Sequence, residues 1–138
     1  MKHLIFTLIF ISLSLLVKAQ DISIIGKWSV IEFTMVKGEK TNTTSESTLK
    51  EDKSAWDLYF FNDGTLKQSS NMRNGSLESQ EGTWTIENDN LFLSLIFNGR
   101  KIKLEYKYQQ QEDLLILKRS NPTGTMKIIT KFKKEKKV

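Results

Sequence analysis

"GTWTIENDNLFLSLIFNGRKIKLEYKY", Gly82 to Tyr108, holds three apolar-rich segments separated by two tight turns. In the last segment Ile102, Leu104, Tyr106 and Tyr108 fall on one side, and Lys101, Lys103, Glu105 and Lys107 on the other. A period of two belongs to a strand with one face buried and one in water. Leu91 to Phe97 and Gly82 to Glu87 read the same way, with Leu91, Leu93 and Leu95 on one face and Trp84 and Ile86 on another. The steps between them, Asn88-Asp89-Asn90 and Asn98-Gly99, use residues that tolerate the positive φ of a hairpin turn. Connections this short join antiparallel neighbours.

The same reading extends outward. Downstream, Leu114 to Ser120 follows "QQQED", and Thr125 to Phe132 follows the turn Asn121-Pro122-Thr123-Gly124. Upstream come Gly26 to Val36, then "WDLYFF" from Trp56 to Phe61, closed by Asp63-Gly64, then Thr65 to Ser70 and a turn at Asn74-Gly75. No stretch shows a helical period. Eight strands joined by six short turns predict an all-β fold, an eight-stranded antiparallel up-and-down β-barrel that removes its own edges by closing. A two-sheet sandwich is the alternative, because hairpins alone do not establish closure. The seventh connection, Lys37 to Ala55, is long, polar and Ser/Thr-rich, which suits a lid over one end or a loose insertion. A short helix from Thr48 to Lys53 fits within it, capped by Thr48 with Glu51 three residues on.

The first segment, residues 1–19, reads as a leader rather than as part of the fold. Lys2 and His3 precede an apolar-rich run from Leu4 to Val17, and Val17-Lys18-Ala19 is a small-residue cleavage step before Gln20. That is the layout of a secretory signal peptide, and the run is short for a membrane span of roughly 20 residues. A secreted or periplasmic location is expected. The chain contains no cysteine, so neither a disulfide nor a lipidated-cysteine anchor is expected. Loss of the leader removes His3, the one histidine. Thiol catalysis, His-dependent triads and ordinary zinc sites then lack their residues; no metal and no cofactor is expected.

The formal charge of +5 is unevenly placed. "KFKKEKKV" at the end carries five Lys and one Glu, while Gln20 to Thr130 has 14 basic and 15 acidic residues. A neutral body with a basic tail does not suit a nucleic-acid-binding domain, whose basic face spans the fold. Residues 20–132 are expected to form the barrel and residues 133–138 a solvated tail, dispensable for folding, that offers weak, salt-sensitive contact with an acidic surface.

Gly-x-Trp occurs twice, in "IIGKWSV" (Ile24 to Val30) and in "EGTWTIE" (Glu81 to Glu87). Gly26 and Gly82 let neighbouring backbone approach, and Trp28 and Trp84, two residues on, share the glycine's face. Each ring is suited to plugging the barrel while its indole N–H finds a carbonyl. With the Trp84 face inward, the candidate ligand-contacting residues are Leu58, Phe60, Leu93, Leu104, Tyr106, Tyr108, Leu117, Met126 and Ile128. Leu91, Leu95, Ile102, Leu115 and Phe132 share that inward face. Buried phenols at Tyr106 and Tyr108 need partners, which a head group supplies if the barrel is hollow. Asp57 and Glu105 point outward by alternation, and Asp63 serves its turn; no carboxylate pair for catalysis emerges, so no enzyme is expected.

"GKW" in the first strand after a leader, the long following connection, "FFNDGT", "GTWTI" and the strand count together resemble the lipocalins, in particular lipocalin-like domains of exported bacterial proteins. The resemblance covers about Ile25 to Phe132. It implies a barrel that carries a small apolar molecule, with the first long loop at the open end. It also implies a basic residue packed on the first-strand Trp; Arg119 over Trp28 is the expected pair. Binding of a small hydrophobic molecule without chemistry is the leading expectation. A solid barrel that docks a protein, glycan or acidic envelope surface is the alternative.

Overall fold

Each short turn named above that falls among the described residues closes a hairpin, and the hairpins run in sequence order round a closed sheet. The computed structural model describes residues 24–71 and 77–136; the leader, its cleavage step and the Asn74-Gly75 turn lie outside them. The strands are β1 (Gly26–Lys37), β2 (Lys40–Thr44), β3 (Trp56–Phe60), β4 (Thr65–Ser70), β5 (Glu78–Glu87), β6 (Asn90–Phe97), β7 (Arg100–Gln111), β8 (Leu114–Ser120) and β9 (Met126–Lys134), with a helix α1 (Glu46–Glu51) between β2 and β3. Asn98 and Gly99 both have positive φ, 49° and 76°, the conformation that a two-residue turn between twisted strands demands.

Pairing of β1 with β9 from Trp28↔Lys134 to Lys37↔Met126 closes the sheet. This rules out the sandwich and gives the expected eight-stranded barrel, made of β1 and β3 to β9. β2 is an addition outside that count. β1 pairs with β3 only through Gly26 to Ser29 and with β2 from Phe33 to Lys37, so β2 continues the sheet where β3 has diverged.

The Lys37–Ala55 connection is therefore not a bare loop. It holds β2 and α1, and Ser45, not Thr48, caps the helix: the Thr48 backbone N–H donates to Ser45 Oγ at 3.4 Å. Leu49, 3% exposed, is the apolar anchor of α1, which packs on β1.

A bulge in β1 between Val30 and Glu32 breaks its register against β9. One extra residue reverses the parity of everything after it. Val30 lies opposite Phe132 before the bulge; beyond it Phe33 lies opposite Thr130 and Met35 opposite Ile128, all on the inward face. Glu32 is thereby turned outward, where Lys131 Nζ meets its carboxylate at 2.9 Å. An unbroken strand would aim that carboxylate into the core.

The C-terminal boundary also shifts. β9 runs through Lys133 and Lys134, past the expected stop at Phe132. Lys134 N–H donates to Asp113 O at 2.9 Å, Glu135 N–H donates to Lys27 O at 2.9 Å, and Glu135 pairs with Lys27 at 3.4 Å. Residues 133–135 are tied to the barrel wall rather than solvated as a tail.

Candidate functional site

The barrel interior divides into two halves. At one end lie the start of β1, the ends of β3 and β9 and the starts of β4, β6 and β8. There Ile24, Trp28, Phe60, Leu66, Leu91, Leu115 and Phe132 are essentially inaccessible. Trp28 Nε1 donates to Ile24 O at 2.8 Å and Trp84 Nε1 to Phe61 O at 3.0 Å, so both indoles find the carbonyls expected of plugging residues. Phe60 meets the Trp84 ring edge-on, with centroids 5.6 Å apart.

The two glycines serve different ends. Gly26 has φ 131°, a region L side chains rarely adopt, and a Cβ there would stand 3.0 Å from Lys134 Cε. Gly82 is not at a strand start: β5 begins four residues earlier, and Gly82 sits within it, where a Cβ would overlap Ser94 O at 1.8 Å. Its service is close approach of β5 to β6.

The cation over the first-strand Trp is Lys134, with Nζ 5.5 Å from the ring centroid, and not Arg119. The reason is position along the barrel. Lys134 lies directly opposite Trp28, whereas Arg119 lies opposite Ile128 at the other end.

At that other end several inward-facing side chains keep accessible surface, while Leu95 and Gln80 there are 3% and 6% exposed. Val30, Phe33, Met35, Trp56, Gln68, Leu104, Met126 and Ile128 are all only partly buried. Because they point inward, the surface they retain opens on the interior or its mouth. Of the nine candidate ligand-contacting residues, Leu58, Phe60, Leu93, Tyr106 and Leu117 belong to the packed core. Leu104, Met126 and Ile128, towards the open end, and Tyr108, beside the β5–β6 turn at the plugged end, retain accessible surface. Ile102, at the rim, is 41% exposed.

Sequence reading missed a polar chain across the inner wall of β3, β4 and β5. Trp56 Nε1 donates to Gln68 Oε1 at 3.1 Å, and Gln68 Nε2 donates to Gln80 Oε1 at 3.1 Å. Gln80 is 6% exposed. These side chains share a face because Leu58 lies opposite Gln68 and Gln68 opposite Gln80. The signal was available only once "ESQE" was taken as strand.

On the facing wall the Arg119 guanidinium lies beside the Tyr106 hydroxyl. Burial pushes the phenol's pKa above its ordinary value, and the Arg119 charge and hydrogen bond work against that rise. Tyr106 is thus a neutral hydroxyl at neutral pH. Asp63, in the β3–β4 turn, has its pKa lowered by accepting hydrogen bonds from Thr65 Oγ1 at 2.6 Å and Thr65 N at 3.0 Å. No group of three or more potential metal ligands occurs among the described residues.

Two solvent-open depressions lie outside the barrel. One of about 490 Å³ runs over the outer face of β5, β6 and β7 beside Thr83, Phe92, Lys103 and Glu105. Another, about 1030 Å³, lies beside Gly26, Tyr59, Asp113 and Lys134 at the plugged end. Both are surface features without an apolar enclosure.

No protein-family model matches the chain, and no curated protein matches it. Among solved structures, an uncharacterized protein from Bacteroides eggerthii is similar at 15% identity and a TM-score of 0.49, covering 80% of this chain and 98% of that one. A lipocalin-like protein from Bacteroides uniformis is similar at 14% identity and a TM-score of 0.54, covering 82% of this chain and 99% of that one. The closed eight-stranded sheet and that likeness together make this chain a lipocalin-like barrel in fold.

Proposed function

We propose that this protein is exported and holds a small hydrophobic molecule in the open half of its barrel, without transforming it. The observation that carries the reading is the difference in burial between the two ends. A solid barrel would bury its inward-facing residues throughout; here Met35, Met126 and Ile128 stay partly exposed and stand apart from the core cluster that holds Phe60, Leu66 and Phe132. Eight strands leave an interior just wide enough for side chains or for one small ligand.

The plugged end would act as a fixed floor and the open half as an apolar receptor, with the β2–α1 segment beside its mouth. Burying about 300 Å² of apolar ligand surface at about 25 cal/mol per Å² contributes roughly 7.5 kcal/mol. Association costs at least about 4 kcal/mol of lost freedom. Since a micromolar Kd corresponds to about 8 kcal/mol, apolar burial of that size needs a polar anchor beside it.

Export rests on the leader, and mass spectrometry of the exported protein should find Gln20 at its N-terminus. Binding is tested by titrating the purified mature protein with N-phenyl-1-naphthylamine, a neutral fluorophore. Saturable enhancement with one site per chain is expected, together with an organic-extractable molecule co-eluting with the native protein. A linear, unsaturable signal with no extractable molecule would overturn the reading in favour of a solid docking module.

A further inference from the structure

We infer that Arg119, at the open end, and Tyr106, in the packed core beneath it, form an anchor for the carboxylate of a single-chain amphiphile. This rests on the proposed function above and adds the chemical class of the ligand's polar end.

The alternation of β8 places Leu115, Leu117 and Arg119 on one face. Leu115 and Leu117 are fully buried, so Arg119 occupies the next inward position, at the open end. Its cross-strand neighbour on β9 is the inward-facing Ile128. On β7 the register that sets Tyr108 opposite Leu117 brings Tyr106 level with Arg119. The guanidinium, on an exposed residue, thus stands at the rim end of an apolar stripe, flanked by Ile128 and by a phenol whose residue is only 6% exposed.

Among the described residues no carboxylate neutralises it. Lys27, Lys50, Lys67 and Lys131 each have a carboxylate within 4 Å, but among the described residues Arg119 has none. Among the described residues the other ionisable side chains at inward positions near this end are Glu78 at the start of β5, Arg100 at the start of β7 and Lys37 at the end of β1, all exposed. Three cations against one anion leave the mouth net positive, which draws an anion towards it.

The opposite wall does not compete for the role. The polar atoms of Trp56, Gln68 and Gln80 are linked to one another, and that chain is neutral. The planar guanidinium matches a carboxylate through two parallel N–H donors. The Tyr106 hydroxyl accepts from Arg119 and keeps its own proton to donate to a ligand oxygen. One cation beside one neutral phenol balances a single negative charge; a dianionic phosphate would leave a charge unpaired against the apolar wall.

The test is displacement of bound N-phenyl-1-naphthylamine at pH 7 by dodecanoate and by dodecanol, which share a chain and differ in head group. Dodecanoate should compete at least tenfold more strongly than dodecanol with the wild-type protein. Arg119→Gln should abolish that preference with dodecanol unaffected, Arg119→Lys should retain part of it, and Tyr106→Phe, which keeps the ring, should weaken dodecanoate alone. Thermal melts of each variant, expected to match wild type, confirm that the barrel is intact. Equal competition by acid and alcohol, or a preference that survives Arg119→Gln, overturns the anchor while leaving the apolar receptor standing. Failure of the fluorophore itself to bind overturns both.

Discussion

The two ends of the barrel are built from the same strands with the same alternation, yet water reaches their inward-facing side chains to different extents. At the plugged end each large side chain has an aromatic or aliphatic partner and each indole N–H an acceptor. Trp28 lies between the Ile24 carbonyl and the Lys134 ammonium, and Phe60 against Trp84. At the open end the inner wall mixes Gln68, Gln80 and Arg119 with Val30, Leu104 and Ile128, and the aliphatic members keep accessible surface. Closing a sheet fixes its diameter but not its filling; filling is decided residue by residue, by the sizes of side chains at inward positions.

That contrast predicts that truncations of similar chemistry cost very different amounts at the two ends. Phe60→Ala removes a ring from a fully buried site and should cost about 3–5 kcal/mol, the range for buried aromatics. Ile128→Ala should cost less than about 1.5 kcal/mol, because a partly exposed side chain forfeits fewer contacts. Urea unfolding measures both. Equal losses would show that the open end is packed like the plugged one.

A smaller effect sharpens the account of the plugged end. Deleting residues 133–138 removes the Lys134 N–H bond to Asp113 and the Glu135 N–H bond to Lys27. Each is worth about 1 kcal/mol net. The Lys134–Trp28 contact contributes about 0.5–1 kcal/mol more, so stability should fall by about 2–3 kcal/mol. Deleting residues 136–138 should leave the melting temperature unchanged, and identical melts for the two truncations would return residues 133–135 to the solvent.

The smallest expected effect is a pH dependence at the β3–β4 turn. Asp63 has a folded-state pKa below its unfolded value. Its hydrogen bonds to Thr65 therefore favour the fold above the ordinary Asp value of about 3.9 and lose that effect as pH falls through the depressed pKa. The difference in melting temperature between wild type and Asp63→Asn should shrink as pH drops below about 4; a constant difference from pH 7 to 3 would show that ionisation of Asp63 is irrelevant.

Most of the barrel was legible in the sequence because its strands bury one face and its turns need Asn, Asp and Gly. The Ile102–Tyr108 alternation, the Asn98-Gly99 turn and the indole acceptors of Trp28 and Trp84 all follow from local chemistry. The Lys37–Ala55 segment was not legible in this way. β2 is a Thr/Asn strand at a sheet edge, exposed along almost its whole length, so it carries no apolar period, and α1 has Leu49 alone to mark its inner face. The bulge in β1 was hidden because "VIEFTMV" has apolar residues at both parities, and only pairing with β9 shows which are inward. "ESQE" falls outside the Gly82–Glu87 segment read as strand because the inner wall it builds is polar. The Lys-rich end reads as solvated, although Phe132 and Lys134 continue the inward alternation of β9.

For the candidate site the sequence supplied the apolar positions but misassigned the basic ones. Arg119 and Lys134 are both cations on adjacent strands near the end of the chain. Which covers Trp28 depends on strand register, a long-range property that local spacing does not encode.

Filling the open half decides whether it is a receptor or a packed core. Ile128→Trp places a large ring at the partly exposed inward position beside Arg119. In an open receptor this variant loses binding of N-phenyl-1-naphthylamine while its unfolding free energy stays within about 0.5 kcal/mol of wild type, as for a change at an unpacked site. A loss of about 1–3 kcal/mol, the cost of overpacking a filled interior, with fluorophore binding unchanged would contradict it.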